Sequence, residues 1–379
     1  MDIVIYGTGR CGQYVFDEID KCEKDKVHIK GWIDNHAKAE TFCGLPVMKE
    51  EQFAGGAMTA DAVIVAMLNA SSIQDVVLSL LDAGCKAIYV VNDLNFRGKL
   101  PVLNEAGELS IYVKSYEKMA PVLGRIQYAV VNHCNLNCKG CGSFANISEP
   151  GFVSCEEFER DILAMRSKIR NMTGFTFYGG EPLLHPDLDS LLVIFKRIYP
   201  NVPVDIFSNG LLITGISDKL KKVIQENGIR FAITQYPPTV KMLSRIVEFL
   251  ENNSIDYLLE PPVEKFMRFF TGKAQDIQPV YEKCLTINDC KLIKEGRLYP
   301  CPQICFMYEK KEYLGLEFED LERESCSFDL YGAAGNDWDM LLRLRKPFSM
   351  CRYCLLGHYD LPWATGKADK GDWIEESET

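Results

Sequence analysis

The 379-residue sequence has no uncharged apolar run of 18 residues, so no segment reads as a transmembrane helix. It has no concentrated basic face either. Its 42 basic against 53 acidic residues leave a net charge of -11, and a nucleic-acid surface, which needs clustered cations, is not expected. Internal repeats and low-complexity tracts are missing, which excludes solenoids and propellers. Met1, Asp2 and Ile3 enter a strand-like run with no basic n-region before it, so a cytoplasmic protein without membrane attachment is expected. What the chain does have is a 47% apolar share, ample for packed cores, and a length that calls for two or three domains. It also has 15 cysteines, which in a large chain of this kind read as metal or cluster ligands rather than disulfides.

Three of them, Cys134, Cys138 and Cys141, fall within the stretch VVNHCNLNCKGCG at residues 130–142. Thiolates this close can hold one face of a 4Fe-4S cube and leave one iron open to an external chelator. A zinc knuckle is the alternative. It wants a fourth Cys or His, and His133, directly beside Cys134, is poorly placed to complete a tetrahedron. Farther on, Cys284 and Cys301 flank a segment that reads as a hairpin about Glu295-Gly296, and Cys351 and Cys354 form CRYC. Two distant pairs supply the four thiolates of a closed second cluster, with zinc on the same thiolates as the alternative. Cys290, Cys305 and Cys326 are left over, and Cys11, Cys22, Cys43, Cys85 and Cys155 read as small buried hydrophobes.

Between these groups strand and helix signals alternate, with strands at 126–132, 175–178, 203–207, 230–234 and 255–259 and helices at 154–170, 187–198, 216–227 and 239–251. Alternation of this kind predicts a parallel sheet. The cysteines, the GGEP run (Gly179, Gly180, Glu181, Pro182) and Ser208-Asn209-Gly210 all fall just past strand ends, the edge at which parallel sheets carry ligands. The GGEP glycines allow close backbone approach to a ligand, and Glu181 offers an acceptor for an ammonium group; the same run also suits a plain strand-to-helix turn. Tyr236, Glu260 and Arg268, at or after late strand ends, are candidate substrate-facing catalytic residues. His185 reads as a turn or cap residue.

CxxxCxxC, GGEP and Ser-Asn-Gly in this order, each closing a strand-like run, resemble the radical S-adenosylmethionine (radical SAM) enzymes across residues 125–373. The resemblance implies a partial (β/α)6 barrel, a 4Fe-4S cluster on Cys134, Cys138 and Cys141, and SAM on the open iron. It also implies that Gly179, Gly180 and Glu181 line the methionine end of SAM, and that Ser208 and Asn209 lie near its ribose and carboxylate. The family's aromatic residue before the third cysteine, which packs on adenine, is here Gly140, so that contact is expected from elsewhere, with Phe144 the candidate. The later cysteines resemble the twitch module of radical SAM dehydrogenases. That likeness implies one auxiliary 4Fe-4S cluster on Cys284, Cys301, Cys351 and Cys354.

Upstream, DIVIY leads into GTGRCG, which sets Gly7, Gly9 and Gly12 at a strand-to-helix turn, and Asp34 ends the second strand where an acid that bonds a ribose hydroxyl is expected. With strands at 62–66 and 87–91 around a helix at 71–83, this part reads as a Rossmann-like doubly wound domain for NAD or a nucleotide-sugar. The glycines also suit close packing of helix on strand. The runs GTGRCG, GWIDNH, FCGLPVM and DAVIVAM resemble N-terminal domains of bacterial surface-sugar biosynthesis, which implies a carbohydrate substrate. The expected layout is therefore α/β throughout: 1–95 Rossmann-like domain, 96–124 linker, 125–280 partial barrel, 281–379 twitch-like module. The expected chemistry is hydrogen abstraction from a sugar by a 5'-deoxyadenosyl radical, ending in dehydrogenation of a carbinol, with a flavodoxin- or ferredoxin-type electron donor. Sugar epimerisation, peptide maturation and a non-catalytic cluster-bearing sensor are the alternatives.

Overall fold

The computed structural model describes residues 1–21, 27–67, 70–91, 113–116, 122–169, 171–284, 291–316, 323–332, 337–357 and 359–375. They form two compact units, Met1–Val122 and Leu123–Thr379. Among the described residues no helix is long and apolar enough to cross a membrane.

The first unit contains β1 (Asp2–Tyr6), α1 (Arg10–Lys21), β2 (His28–Ile33), β3 (Thr41–Phe42), β4 (Leu45–Met48), α2 (Glu50–Ala54), β5 (Ala62–Val65), α3 (Ala70–Asp82), β6 (Ile88–Val91) and β7 (Val113–Ser115). Its sheet runs β3-β4-β2-β1-β5-β6-β7. The five strands from β4 to β6 are parallel, and β3 and β7 pair antiparallel at the edges. Apolar runs form these strands because both faces are covered: Ile3, Val4, Ile5, Val63, Ile64 and Val65 are all fully buried. Helix α1 buries Cys11, Gly12, Val15 and Ile19, one stripe at helical spacing. The sequence pattern anticipates β1, β2, β5 and β6 but not β3, β4 or β7, and β7 places part of the expected 96–124 linker in this sheet. Most of that linker lies outside the described residues.

The second unit alternates β8 (Val122–Val131), α4 (Cys155–Lys168), β9 (Asn171–Gly179), α5 (Leu188–Ile198), β10 (Val204–Ser208), α6 (Asp218–Glu226), β11 (Arg230–Ile233), α7 (Pro237–Asn252) and β12 (Tyr257–Leu259). These are the expected elements to within a few residues, in a mixed α/β partial barrel. Local signals set the helices: Ser154 caps α4 through the Glu157 amide, and Pro237-Pro238 open α7. The chain continues with β13 (Lys265–Phe266), β14 (Phe270–Thr271), α8 (Ile277–Lys283), β15 (Lys291–Lys294), β16 (Arg297–Tyr299), α9 (Pro302–Leu314), α10 (Arg323–Cys326), β17 (Phe328–Asp329), α11 (Asp337–Leu344), β18 (Leu361–Pro362) and β19 (Ile374–Glu375).

The sheet order is β12-β11-β10-β9-β8-β15-β16-β17, and β15 pairs parallel with β8. A sixth parallel strand is thus present, but it comes from after the expected boundary at 280/281, so one continuous sheet crosses that boundary. The β15–β16 hairpin turns where expected, on Glu295 and Gly296, both at positive φ. Asp161, fully buried on α4, fastens this hairpin to the barrel by accepting from the Tyr128 hydroxyl at 2.7 Å, the Gly296 amide at 3.0 Å and the Tyr331 hydroxyl. At the N-terminal strand ends Asp205 takes Arg125 from β8 and Arg230 from β11, and Arg125 also reaches Thr176 on β9. Losing both arginines would strand the buried Asp205 charge.

The glycines of GTGRCG are unequal. A Cβ on Gly12 would strike the Gly7 carbonyl oxygen and come within 3.0 Å of the Trp32 ring, whereas one on Gly9 meets nothing within 4 Å. Gly12→Ala is therefore expected to destabilise the first unit by about 1–3 kcal/mol and Gly9→Ala to leave it within about 1 kcal/mol. Thermal unfolding of the two variants checks this, and equal effects would refute the packing role of Gly12.

Candidate active site

Strand β8 ends at Val131 and the chain turns into the loop bearing Cys134, Cys138 and Cys141. The end of β9 lies directly against this loop. The Gly180 amide donates to the Val131 carbonyl at 2.8 Å and the Glu181 amide to that of His133 at 3.1 Å. Any Cβ on Gly179 would collide with the Val131 carbonyl, and one on Gly180 with that of His133, so both positions exclude side chains. The close approach these glycines permit is to the protein's own cysteine loop.

Glu181 then turns inward and is fully buried. Its Oε1 accepts from the Leu183 amide at 3.1 Å and the Ser208 hydroxyl at 2.9 Å, and its Oε2 from the Asn209 amide at 2.8 Å. Burial pushes the carboxyl up to about 7 against these three bonds. The expected ammonium acceptor is thus a tie between the GGEP turn and the end of β10. Asn209 carries the connection onward, its side-chain amide donating to Asn135 Oδ1 at 2.6 Å and to Cys134 Sγ at 3.5 Å.

Cys134, Cys138, Cys141, Tyr178, Gly179, Gly180, Phe207, Ser208, Asn209, Thr234 and Tyr236 line one cavity of about 120 Å³. Burial first, with the neighbouring thiols adding to it, raises the Cys134 thiol to about 11 and Cys138 to about 12. Each sulfur also has a local partner. The Leu136 amide donates to Cys134 at 3.4 Å, the Trp363 indole to Cys138 at 3.3 Å, and Cys141 meets the Ser143 hydroxyl at 3.3 Å. Three thiols with donors aimed at sulfur fit a 4Fe-4S cube, whose thiolate charge such donors offset. Among the described residues no three His, Cys, Asp or Glu groups gather tightly enough for a single ion. A tetrahedral zinc site would need sulfurs about 3.8 Å apart, while a cube takes each thiolate on a separate iron.

Of the three candidate catalytic residues, only Tyr236 lines the cavity. Burial, then the thiols of Cys141 and Cys138, hold its phenol well above the ordinary range, and its hydroxyl makes no hydrogen bond among the described residues. Glu260 joins neighbouring strands through its backbone, accepting from Gln235 and donating to Ile233. Arg268 faces Asp360 at 3.6 Å. Phe144 is fully buried, stacked on Trp373 at 4.7 Å, and is not free to cover an adenine. Trp363 is the residue that sequence reasoning missed, and no local pattern marks it.

The second cysteine group also converges. Cys301 is buried and Cys354 partly buried, and both thiols are raised by burial and then by neighbouring thiols, which are Cys351 and Cys284 for Cys301, and Cys301, Cys351 and Cys284 for Cys354. Four thiols with no other ligand type suit a closed cluster. Cys305 and Cys326 are fully buried, and both thiols act on Tyr299. Cys22 and Cys290 lie outside the described residues.

In the first unit Asp34 sits beside the glycine turn, but its acceptors are taken. Oδ2 receives the Thr8 amide at 2.9 Å and the Thr8 hydroxyl at 2.6 Å, while Oδ1 receives the amides of His36 at 2.8 Å and Ala37 at 3.0 Å. Those bonds outweigh burial and lower its pKa. With its carboxylate committed to Thr8, a residue of the glycine turn itself, Asp34 offers no open acceptor to a ribose, and the residues do not fit NAD in the expected manner.

Residues 128–252 match the family described as the Radical SAM superfamily, so the chain carries a radical SAM domain. Over 122 residues it is 33% identical to the 7,8-dihydro-6-hydroxymethylpterin dimethyltransferase of Methanocaldococcus jannaschii, an alignment covering 31% of this chain and 23% of that protein. The chain thus spans about a quarter of that relative's length. Among solved structures, BtrN in complex with AdoMet and 2-DOIA aligns with TM-score 0.42 and 16% identity, over 62% of this chain and 94% of that one. Native anSMEcpe with bound AdoMet aligns with TM-score 0.31 and 19% identity, over 37% and 44% respectively.

The role of Glu181 is testable without any cofactor. In Glu181→Gln the amide NH2 must face one of the backbone N–H groups, at an expected cost of about 1–3 kcal/mol, or about 2–4 °C in Tm for each kcal/mol. The folded state holds the Glu181 proton up to about 7, above the 4.5 of an ordinary glutamate, so wild-type stability should fall as pH rises between those values. That slope should vanish in the variant; thermal melts of the apo protein from pH 4.5 to 8 that show no difference would refute the tie.

Proposed function

We propose that this protein is a radical SAM oxidoreductase acting on a carbohydrate. The observation that carries the reading is the single cavity in which three loop thiols meet the Gly179–Gly180 backbone, Ser208, Asn209 and Tyr236. In this reading Cys134, Cys138 and Cys141 hold a 4Fe-4S cube. Gly179, Gly180, Ser208 and Asn209 present backbone and side-chain polar groups to SAM, and Glu181 positions the last two. When bound, cube and SAM supply a 5'-deoxyadenosyl radical able to take hydrogen from an unactivated carbon. The chain's own part is to orient the C–H and exclude water, which the aromatic walls Tyr178, Phe207 and Tyr236 favour.

Thr234 and the Tyr236 hydroxyl, which has no hydrogen-bond partner among the described residues, offer hydrogen bonds suited to a substrate rich in hydroxyls, which supports a carbohydrate over the peptide side chain of a maturase. The four converging thiols of Cys284, Cys301, Cys351 and Cys354 favour dehydrogenation of a carbinol, since an auxiliary cluster there would accept the second electron. An epimerase would need a thiol hydrogen donor at the substrate; of the three spare thiols Cys305 and Cys326 are enclosed beside Tyr299, and Cys290 lies outside the described residues. A flavodoxin- or ferredoxin-type protein would feed the first cluster, in a reducing cytoplasm that keeps the thiols free.

Two cubes imply about eight irons in the anaerobically reconstituted protein and about four in Cys134→Ala/Cys138→Ala/Cys141→Ala. Zinc at the second group would remove the auxiliary cluster. A screen of nucleotide-sugars and free sugars, scored by 5'-deoxyadenosine release, should find a product two mass units lighter than its substrate. Deuterium gained from heavy water in a product of unchanged mass class would instead establish epimerisation, and 5'-deoxyadenosine release with peptides alone would establish maturation.

A further inference from the structure

The last described segment of the chain is folded onto the cysteine loop. The Lys139 amide donates to the Ala364 carbonyl at 2.9 Å, the Gly366 amide to that of Asn137 at 3.0 Å, and the Trp373 indole to that of Cys141 at 2.8 Å. A Cβ on Gly140 would sit 2.5 Å from Leu361 Cδ2 and 2.8 Å from the Asp372 carbonyl oxygen, so the segment fills the space a side chain would otherwise occupy. Within it Trp363 has a distinct place. Its amide is anchored to the Glu264 carbonyl at 2.9 Å, its ring stacks on Tyr236 at 6.3 Å, and its indole N–H donates to Cys138 Sγ at 3.3 Å. Among the described residues it is the only side chain that donates a hydrogen bond to this sulfur.

We propose that Trp363 sets the reduction potential of the cluster held by Cys134, Cys138 and Cys141, making the carboxyl-terminal segment a tuning element of the site. The inference rests on the cluster reading given above. A one-electron reduction of the cube adds negative charge that its thiolate sulfurs share, so a donor dipole aimed at Cys138 stabilises the reduced state more than the oxidised one. The electron comes from the external one-electron donor, and no bond to Trp363 forms or breaks. Removing the N–H should therefore make the cluster harder to reduce. Trp373 supplies an internal comparison, because its indole reaches a backbone oxygen rather than a sulfur.

The test is a potentiometric titration of the anaerobically reconstituted full-length protein, followed by electron paramagnetic resonance. It is read on the reduced-cluster signal that is lost in Cys134→Ala/Cys138→Ala/Cys141→Ala. Trp363→Phe, and 3-(3-benzothienyl)alanine at position 363, which keeps the shape and lacks only the N–H, should each make reduction about tenfold less favourable at unchanged iron content. For a one-electron couple that is a midpoint about 59 mV more negative. Trp373→Phe should leave the midpoint in place. An unshifted midpoint in the benzothienyl protein overturns the proposal, as does an equal shift in Trp373→Phe. If Trp363→Phe loses iron, the benzothienyl protein decides. A wild-type protein that lacks the signal altogether overturns the cluster reading itself, an outcome distinct from an unshifted midpoint.

Discussion

The site depends on how tightly the end of β9 lies against the cysteine loop. Two missing side chains, at Gly179 and Gly180, let backbone meet backbone at Val131 and His133. That contact fixes where Glu181 enters the interior, and Glu181 in turn gathers the Ser208 hydroxyl and the Asn209 amide. Asn209 then reaches Asn135 and Cys134, closing a circuit from the loop through two strand ends and back to the loop. Glu181, Ser208 and Asn209 are polar and buried, and each finds its partner in another member of the circuit. Removing one would leave the others with unmet hydrogen bonds, so the circuit acts as one unit. Its consequence for function is that the cavity wall facing a ligand is built of backbone and of side chains already held in place.

Much of this was legible in the sequence, for identifiable reasons. Parallel strands buried on both faces must be short apolar runs, and helices between them must carry a 3.6-residue stripe, so β8 to β12 and α4 to α7 stand out locally. The Glu295-Gly296 turn is equally local. Partner choice was not legible. GGEP shows that a carboxylate lies past a strand end, but nothing near it shows that Ser208 and Asn209 are its partners. Asp34 is the same case in the first unit: the acid falls at the right distance from the glycines, and Thr8 from within the motif occupies it. Strands β3, β4 and β7 escaped for a simpler reason, being two to four residues long at or near the sheet edge.

The expected module after residue 280 is folded as an extension of the barrel sheet. Strand β15 takes the free edge of β8, and Asp161 clamps the hairpin turn onto α4. No local signal encodes this pairing, because β15 and β8 lie more than 150 residues apart. Its effect is mechanical. Cys301, directly after β16, is thereby tied through β15 to the strand that leads into the first cysteine loop.

The carboxyl-terminal segment completes the dependence on distant sequence. Gly140 stands where an aromatic residue was expected, and the geometry explains the change: Leu361 and Asp372 occupy the space, and Trp373 holds Phe144 in a stack. Beside the rings that line the cavity, Trp363 also reaches the cysteines, touching Cys138 across 225 residues of sequence and stacking on Tyr236. Contacts of such separation carry a loop-closure cost, because the intervening chain must close before they contribute. The cysteine loop has the Cys138 donor and the backing of Trp373 only when residues 361–375 are docked. Ligation of a metal cluster couples to folding when the ligand loop is ordered only in the folded chain. Docking of residues 361–375 and uptake of the proposed cluster should accordingly favour one another, each ordering the loop that the other requires.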